Sequence, residues 1–194
     1  MRGIVPKIVN KPRAVIDDFA KRLPGAVEEA PFTLFVCGPG PSSKQSAILR
    51  RYVSDEINKR IKGVTVVWGE HRDFLGSVGN VVLRRFGTVT KELEFALHYS
   101  DLILIFPDSP GSFVELGIFG MNQDVCPRLV IIFDGQYRSN KGFAIGAMGK
   151  KARDQKATIK FLKYGNRAKA LRQIEAIVRK QQEIKYSSRS YASR

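Results

Sequence analysis

Four short apolar runs lie along the chain, separated by turns and by segments with helical spacing. The runs cover residues 32–37, 64–68, 102–106 and 128–133. Near-continuous apolar runs of this length are typical of strands that are buried on both faces of a parallel sheet. The intervening segments repeat apolar side chains at intervals of three and four residues, which is typical of amphipathic helices. The pattern therefore predicts an α/β fold, a Rossmann-like parallel sheet of four or five strands with helices on both faces.

The two ends of the chain are less regular. A short helix is predicted over residues 14–23, with Pro24 ending it. Residues 158–162 are a candidate edge strand, and residues 167–184 have the spacing of an amphipathic helix whose outer face is basic. We expect a frayed tail over residues 187–194.

Charge is distributed unevenly along the chain. The 33 Lys and Arg residues outnumber the 18 Asp and Glu residues, giving a net charge of +15, yet residues 26–148 hold thirteen of each kind. Residues 149–194 hold fourteen basic residues against three acidic ones. Such an excess favours an anionic partner. We expect three parts: an N-terminal extension (1–30), a Rossmann-like nucleotide-binding and catalytic domain (31–148), and a basic C-terminal extension with an amphipathic helix (149–194).

Several classes of protein are disfavoured. No apolar run approaches the ~18–20 residues that span a bilayer, and the first residues lack the apolar segment of a secretory signal. The two cysteines, Cys37 and Cys126, lie within apolar stretches, as buried thiols do. Together with the two histidines they make no recognisable zinc pattern. We therefore expect a cytoplasmic protein with no membrane partner, no metal and no cofactor.

Two glycine-bearing turns follow the first and third apolar runs. They span residues 38–43 and 108–112, and each precedes a segment with helical spacing. Ligands of open parallel sheets bind outside the carboxyl ends of the strands, where N–H groups at a helix start attract anions. Purely structural turns are the alternative interpretation. The candidate substrate-binding residues are Gly38, Gly40, Ser42, Ser43, Trp68, Gly111 and Ser112. The ring of Trp68 either stacks on a nucleobase or packs in the core.

A carboxylate, Glu115, stands three residues after Ser112. One interpretation is a capping box, in which Ser112 begins a helix and Glu115 reaches back to it. The other is functional, because a carboxylate just after the carboxyl end of a strand is well placed to meet a ligand. Asp101 is instead expected to have a structural role at the junction of a helix and a strand.

The residues around Glu115 resemble a known superfamily. Residues 100–106, the following turn and Glu115-Leu116-Gly117 resemble the nucleoside 2-deoxyribosyltransferase-like superfamily. Residues 110–115 are similar in part to the Pro-Gly-Gly-x-Gly-Thr-x-x-Glu signature of the related lysine-decarboxylase-like (cytokinin-activating phosphoribohydrolase) proteins. Residues 109–119 look most like retron-associated effector toxins of this superfamily, which act in anti-phage defence. The resemblance covers residues 32–135 and is most specific at 100–119.

The resemblance implies cleavage of an N-glycosidic bond in a nucleoside, a nucleotide or an NAD-like molecule, by hydrolysis or by transfer. It implies that Glu115 attacks the anomeric carbon or stabilises an oxocarbenium-like transition state. Asp108 or Asp73 would orient the sugar or protonate the departing base. The second glycine of the phosphoribohydrolase signature is Ser112 here, and the catalytic arginine of that family has no clear match. The candidates for it are Arg72, Arg84 and Arg85.

The basic C-terminal residues suit contact with a phosphate backbone, although a solvated helix face is the alternative. The candidate nucleic-acid-binding residues are Lys150, Lys151, Arg179 and Lys180. In the retron interpretation the partner is the reverse transcriptase with its RNA-linked single-stranded DNA. The related families also imply a homo-oligomer. Two other functions remain open: a non-catalytic nucleotide sensor on the same fold, and a nucleic-acid-binding protein with a vestigial pocket.

Overall fold

A computed structural model of the protein describes residues 12–42, 44–70, 87–139 and 142–192. The main elements, in chain order, are α1 (Pro12–Glu29), β1 (Phe32–Cys37), α2 (Gln45–Arg60), β2 (Val64–Trp68), α3 (Thr88–His98), β3 (Leu102–Ile105), α4 (Pro110–Met121), β4 (Leu129–Asp134), α5 (Lys150–Asp154), β5 (Thr158–Leu162) and α6 (Arg167–Ala192). Short 3-10 turns flank β4, and a π-helix, Phe143–Gly149, precedes α5.

The five strands form one sheet in the order β2-β1-β3-β4-β5, and every neighbouring pair is parallel. The predicted α/β fold with a parallel sheet is therefore confirmed. Strands β1, β2 and β5 have the predicted bounds, β3 ends one residue earlier, and β4 begins and ends one residue later. As expected for an edge strand, β5 lies at one end of the strand order, next to β4.

Helices cover both faces of the sheet, because successive residues of a strand point to opposite sides. Leu34 and Leu104 point to one face, where the buried side chains of α2 and α6 cover them. Phe35 and Ile105 point to the other face, which α3, α4 and α5 cover. The continuous apolar runs of the sequence follow from this double burial.

Two helix ends differ from the predictions, and α2 begins without a side-chain cap. Helix α1 does not end at Pro24 but continues to Glu29. The proline removes a donor to the carbonyl of residue 20, and both positions are exposed, so water can reach that carbonyl. Helix α2 begins after Lys44 without a side-chain cap, and Ser42 Oγ instead accepts a hydrogen bond from the N–H of Lys44 (3.4 Å). The expected frayed tail is helical to Ala192.

The C-terminal helix is part of the core. Ala170, Leu171, Ile174 and Val178 of α6 are buried against the sheet. Farther along α6, the ammonium group of Lys185 donates hydrogen bonds to the carboxylate of Asp101 and to the carbonyl oxygen of Pro31 (2.7 Å for the latter). The division of the chain at residue 149 stays a prediction, but the segment that follows supplies both β5 and α6.

The Asp101 carboxylate also accepts a hydrogen bond from the N–H of Thr33 (2.7 Å), so Asp101 joins the start of β1 to α6. This confirms the structural role that was expected for it. Among the described residues, no helix is long and apolar enough to cross a membrane.

Because α6 completes the core, we predict that Ile174→Ala destabilises the whole domain. Ile174 is fully buried, so the truncation costs about 2–5 kcal/mol of unfolding free energy. The matched control is Ile184→Ala on the same helix, where the side chain is 49% exposed and the expected cost is within about 0.5 kcal/mol. Urea unfolding measures both. Equal costs would show that α6 is not part of the cooperative core.

Candidate active site

The candidate site lies where the order of the strands reverses. From β1 the chain passes to β2 on one side, and it then returns to β3 on the other side of β1. In open α/β sheets such a reversal leaves a crevice between the two loops at the carboxyl ends of the strands. Both predicted turns border this crevice, because one follows β1 and the other follows β3.

The turn after β1 requires a glycine at its first position. Gly38 has φ 144°, in the region that favours glycine, and a Cβ there would lie 3.1 Å from Phe106 Cβ and 3.2 Å from Arg50 Cδ. The local structure alone therefore explains Gly38, whose role in binding substrate stays a prediction.

The turn after β3 is capped differently from the prediction. Helix α4 starts at Pro110, and its N-cap is Ser109, whose hydroxyl accepts a hydrogen bond from the N–H of Ser112 (3.2 Å). Ser112 Oγ in turn accepts from the N–H of Ser109 (2.9 Å). The interpretation of Ser112 as N-cap, with Glu115 reaching back to it, is therefore wrong. Ser109 precedes Ser112 by three residues, the same spacing as that between Ser112 and Glu115. Pro110, directly after Ser109, favours a helix start at this position.

Glu115 takes no part in the capping box and lies partly buried in the second turn of α4. Its Oε2 atom is buried and has no hydrogen-bond partner among the described residues. Burial, followed by the negative charge of Glu92, raises the pKa of Glu115 to about 7, against the smaller opposing effect of Arg50. An unpaired buried carboxyl group is costly, and such groups are common at functional sites.

A second carboxylate, Glu92 of α3, accompanies it. Glu92 is 6% exposed, and burial together with the charge of Glu70 raises its pKa to about 7. A methyl group added at Gly69 would collide with the Glu92 carboxylate, so the glycine makes room for it. Glu92 was not among the candidate site residues of the sequence, because it lies in a helix, where charged residues are usually solvated.

Arg50 of α2 is the cation of the site. It is 3% exposed, and its guanidinium donates hydrogen bonds to the carbonyl oxygens of Gly38 (3.1 Å) and Pro39 (2.7 Å) and to the Glu70 carboxylate (2.5 Å). Sequence reasoning missed Arg50 because the pair Arg50-Arg51 looks like helix surface. Its spacing from the buried residues Ser46, Val53 and Ile57 was the available signal. The earlier candidates Arg72, Arg84 and Arg85 lie outside the described residues.

A cavity of about 510 Å³ lies beside this arginine. The predicted residues Gly40, Ser42 and Trp68 all line it, together with Arg50 and Glu70. The guanidinium lies 5.5 Å from the centre of the Trp68 ring. The other predicted turn residues, Gly38, Gly111 and Ser112, do not line this cavity, and neither do the carboxylates Glu92, Glu115 and Asp108. Gly111 lies at the exposed start of α4, and Ser112 is buried in the capping box. Ser43 and Asp73 lie outside the described residues.

Asp108 joins the turn after β3 to the start of α2. Its carboxylate accepts a hydrogen bond from Ser46 Oγ (2.6 Å), and its carbonyl oxygen accepts one from the ammonium group of Lys44 (2.7 Å). Its catalytic role stays a prediction.

The predicted nucleic-acid-binding residues fall on two separate surfaces. Lys150 and Lys151 are exposed on α5, on the same side of the sheet as α4, whereas Arg179 and Lys180 belong to α6 on the opposite side. Arg179 is also engaged, because it pairs with Glu175 (2.9 Å). Their role in nucleic-acid binding stays a prediction.

Similarity to known proteins centres on retron effectors. Residues 49–193 match the family model described as "STM3845 retron effector protein". The chain is also 29% identical over 113 residues to an Escherichia coli protein named "Retron Ec86 putative ribosyltransferase/DNA-binding protein". The alignment covers 57% of this chain and 34% of the relative, so the chain spans about a third of the length of the curated relative it matches.

The raised pKa of Glu115 predicts a pH-dependent stability difference. From pH 4.5 to about 7 the folded state retains a proton that the unfolded state has lost, so ionising Glu115 destabilises the fold as the pH rises. Glu115→Gln cannot ionise, and its unfolding free energy relative to the wild type should therefore increase by about 3 kcal/mol between about pH 4.5 and 8. Urea unfolding at several pH values measures this.

The control for this prediction is Glu183→Gln on the exposed side of α6. Its stability should follow the wild type across the same pH range. If Glu115→Gln also runs parallel to the wild type, Glu115 does not titrate in the way that its burial implies.

Proposed function

The chain belongs to the STM3845 retron effector protein family, whose model matches residues 49–193, and from this membership we propose that it cleaves an N-glycosidic bond. The proposed substrate is a nucleoside, a nucleotide or an NAD-like molecule, and the proposed superfamily is that of the nucleoside 2-deoxyribosyltransferases. The observation that carries the proposal is Glu115, a partly buried carboxylate whose buried Oε2 atom has no hydrogen-bond partner among the described residues. The ribosyltransferase in the name of the Escherichia coli relative supports the same class of reaction.

In the proposed reaction Glu115, in its ionised form, attacks the anomeric carbon of the sugar. In a nucleoside or nucleotide, the bond between that carbon and the base breaks, and the base leaves with the bonding electrons and takes up a proton from Glu92. Water then attacks the anomeric carbon, and the bond from that carbon to the Glu115 oxygen breaks with its electrons returning to the carboxylate. The hydroxyl stays on the sugar, and the proton of the water returns to Glu92. Enzymes that cleave glycosidic bonds commonly use two carboxyl groups, one ionised and one protonated. Transfer to another nucleophile follows the same scheme with that group in place of water.

The remaining residues bind and orient the substrate in this proposal. Asp108 accepts a hydrogen bond from a sugar hydroxyl, since its carboxylate is already held by Ser46. The turn that contains Gly40 and Ser42 binds phosphate or sugar, and Trp68 stacks on the base. Arg50 is a positioning residue in this proposal, because its hydrogen bonds hold the turn in place.

We further propose that a nucleoprotein partner controls the reaction in the cytoplasm. The family is one of retron effectors, and the name of the Escherichia coli relative includes DNA binding. Both fit a partner made of the retron reverse transcriptase and its RNA-linked DNA.

The first test of the enzyme is Glu115→Gln. The full chain is incubated with a panel of nucleosides, nucleotides and NAD, and free bases are separated by chromatography. The wild type should release base from at least one substrate, and Glu115→Gln should lower the rate by about 10³-fold or more, because the amide cannot form the glycosyl ester. Glu94→Gln, exposed on the same helix as Glu92, should keep the wild-type rate.

Two results would overturn the proposal. One is full activity of Glu115→Gln. The other is thermal stabilisation by a nucleotide with no release of base over long incubation, which would make the protein a nucleotide sensor.

A second prediction concerns the pH profile of base release. Glu115 must be ionised and Glu92 protonated, so the wild-type rate should pass through a maximum near pH 7. In Glu92→Gln the decline at high pH should disappear. The decline at low pH should move to lower pH, because the Glu92 charge that raises the Glu115 pKa is gone. A variant profile with the wild-type shape would contradict the role of Glu92.

A further inference from the structure

Three cavities lie side by side along the carboxyl edge of the sheet. The site cavity shares Tyr52 and Arg167 with a second cavity of about 660 Å³. The second shares Lys163, Gly165 and Asn166 with a third of about 670 Å³, which lies at the ends of β4 and β5. Adjacent cavities therefore share walls from the site across the start of α6, and we call the three together the edge groove.

Cations line the edge groove beyond the site. They are Arg138, Lys163, Arg167 and Lys169, all of them exposed. None of the four forms an ion pair within the part of the chain that the structure describes. Three carboxylates also line the groove, and each has a partner: that of Glu70 pairs with Arg50, that of Asp55 with Arg51 (4.0 Å), and that of Asp134 accepts from the N–H of Gln136 (3.1 Å). The cations are therefore available to an anionic ligand.

Aromatic rings lie beside two of these cations. The Arg167 guanidinium lies 5.5 Å from the centre of the Tyr52 ring, and that of Arg138 lies 5.8 Å from the centre of the Phe161 ring. Trp68 lines the site end of the groove. Rings on which bases stack, set among cations that contact phosphates, are the means by which proteins bind single strands of nucleic acid.

The length of the edge groove favours a chain of several phosphates over one mononucleotide. Between β1 and β5 lie three inter-strand intervals of about 4.8 Å each, or roughly 14 Å along the sheet edge. We propose that the edge groove binds a single strand of nucleic acid, with its phosphates at the four cations and its bases against the aromatic rings. A duplex keeps its bases stacked inside and offers no free base to these rings.

This assignment differs from the one that charge along the sequence suggested. Lys150 and Lys151 lie on α5, which packs on the other face of the sheet. They have the same exposure and charge as the groove lysines, and they provide a matched control. The inference does not depend on glycosidic cleavage, since its readout is binding.

The test measures binding of the full chain to a fluorescent oligothymidylate of about twelve nucleotides by anisotropy. The double variant Lys163→Glu/Lys169→Glu should raise the Kd by about tenfold or more and reduce the salt slope by about 1.4, the value for two lost phosphate contacts. Lys150→Glu/Lys151→Glu, with the same change in net charge, should leave the Kd within about twofold. Tyr52→Leu should weaken binding without changing the salt slope. Thermal unfolding verifies that each variant is folded.

Three outcomes would overturn the inference. Equal weakening by both double variants would mean that only the total charge matters. Absence of binding by the wild type would remove the site altogether. Tighter binding of a duplex of the same length would contradict the role of the aromatic rings. If the wild type binds the oligonucleotide but releases no base from any substrate, that result would count against the proposed function and not against this inference.

Discussion

The guanidinium of Arg50 organises this edge of the molecule. A charge that is almost fully buried must find hydrogen-bond acceptors, and those of Arg50 come from both neighbouring strand ends. The carbonyls of Gly38 and Pro39 belong to the turn after β1, while the carboxylate of Glu70 follows β2. The position of this turn, and with it the shape of the site cavity, therefore depends on one side chain of α2.

Among the described residues, the carboxylates of the site are unequally paired. That of Glu70 forms the ion pair with Arg50, while neither Glu92 nor Glu115 forms one within the part of the chain that the structure describes. Burial raises the pKa of both groups to about 7, so each holds its proton up to about neutral pH. Burial of Cys37, together with the charges of Glu115 and Glu92, raises the pKa of its thiol too. The ion pair with Glu70 is structural, whereas Glu92 and Glu115 have shifted pKa values of the kind that suits acid–base chemistry.

The sheet was predictable because double burial leaves a continuous apolar run, as at Leu102–Ile105, and the crevice followed from the turns after two such runs. Glu115 and Asp101 were also recognised from their positions beside β3. Arg50 and Glu92 were not, because each lies in a helix where charged residues are usually solvated, and only tertiary contacts bury them. The start of α4 was misplaced because Ser109 and Ser112 each offer a plausible cap, and the choice depends on hydrogen bonds around them.

The fold places the basic residues differently from what their order along the chain suggests. The basic C-terminal segment supplies β5 and the start of α6, so part of its charge lies on the sheet edge that holds Glu115. Two ionised carboxylates near this edge would repel the phosphates that its cations attract. Since burial favours the protonated forms of Glu92 and Glu115, that repulsion is reduced up to about neutral pH. The burial that suits these groups for glycosyl chemistry thus also makes the edge compatible with an anionic ligand.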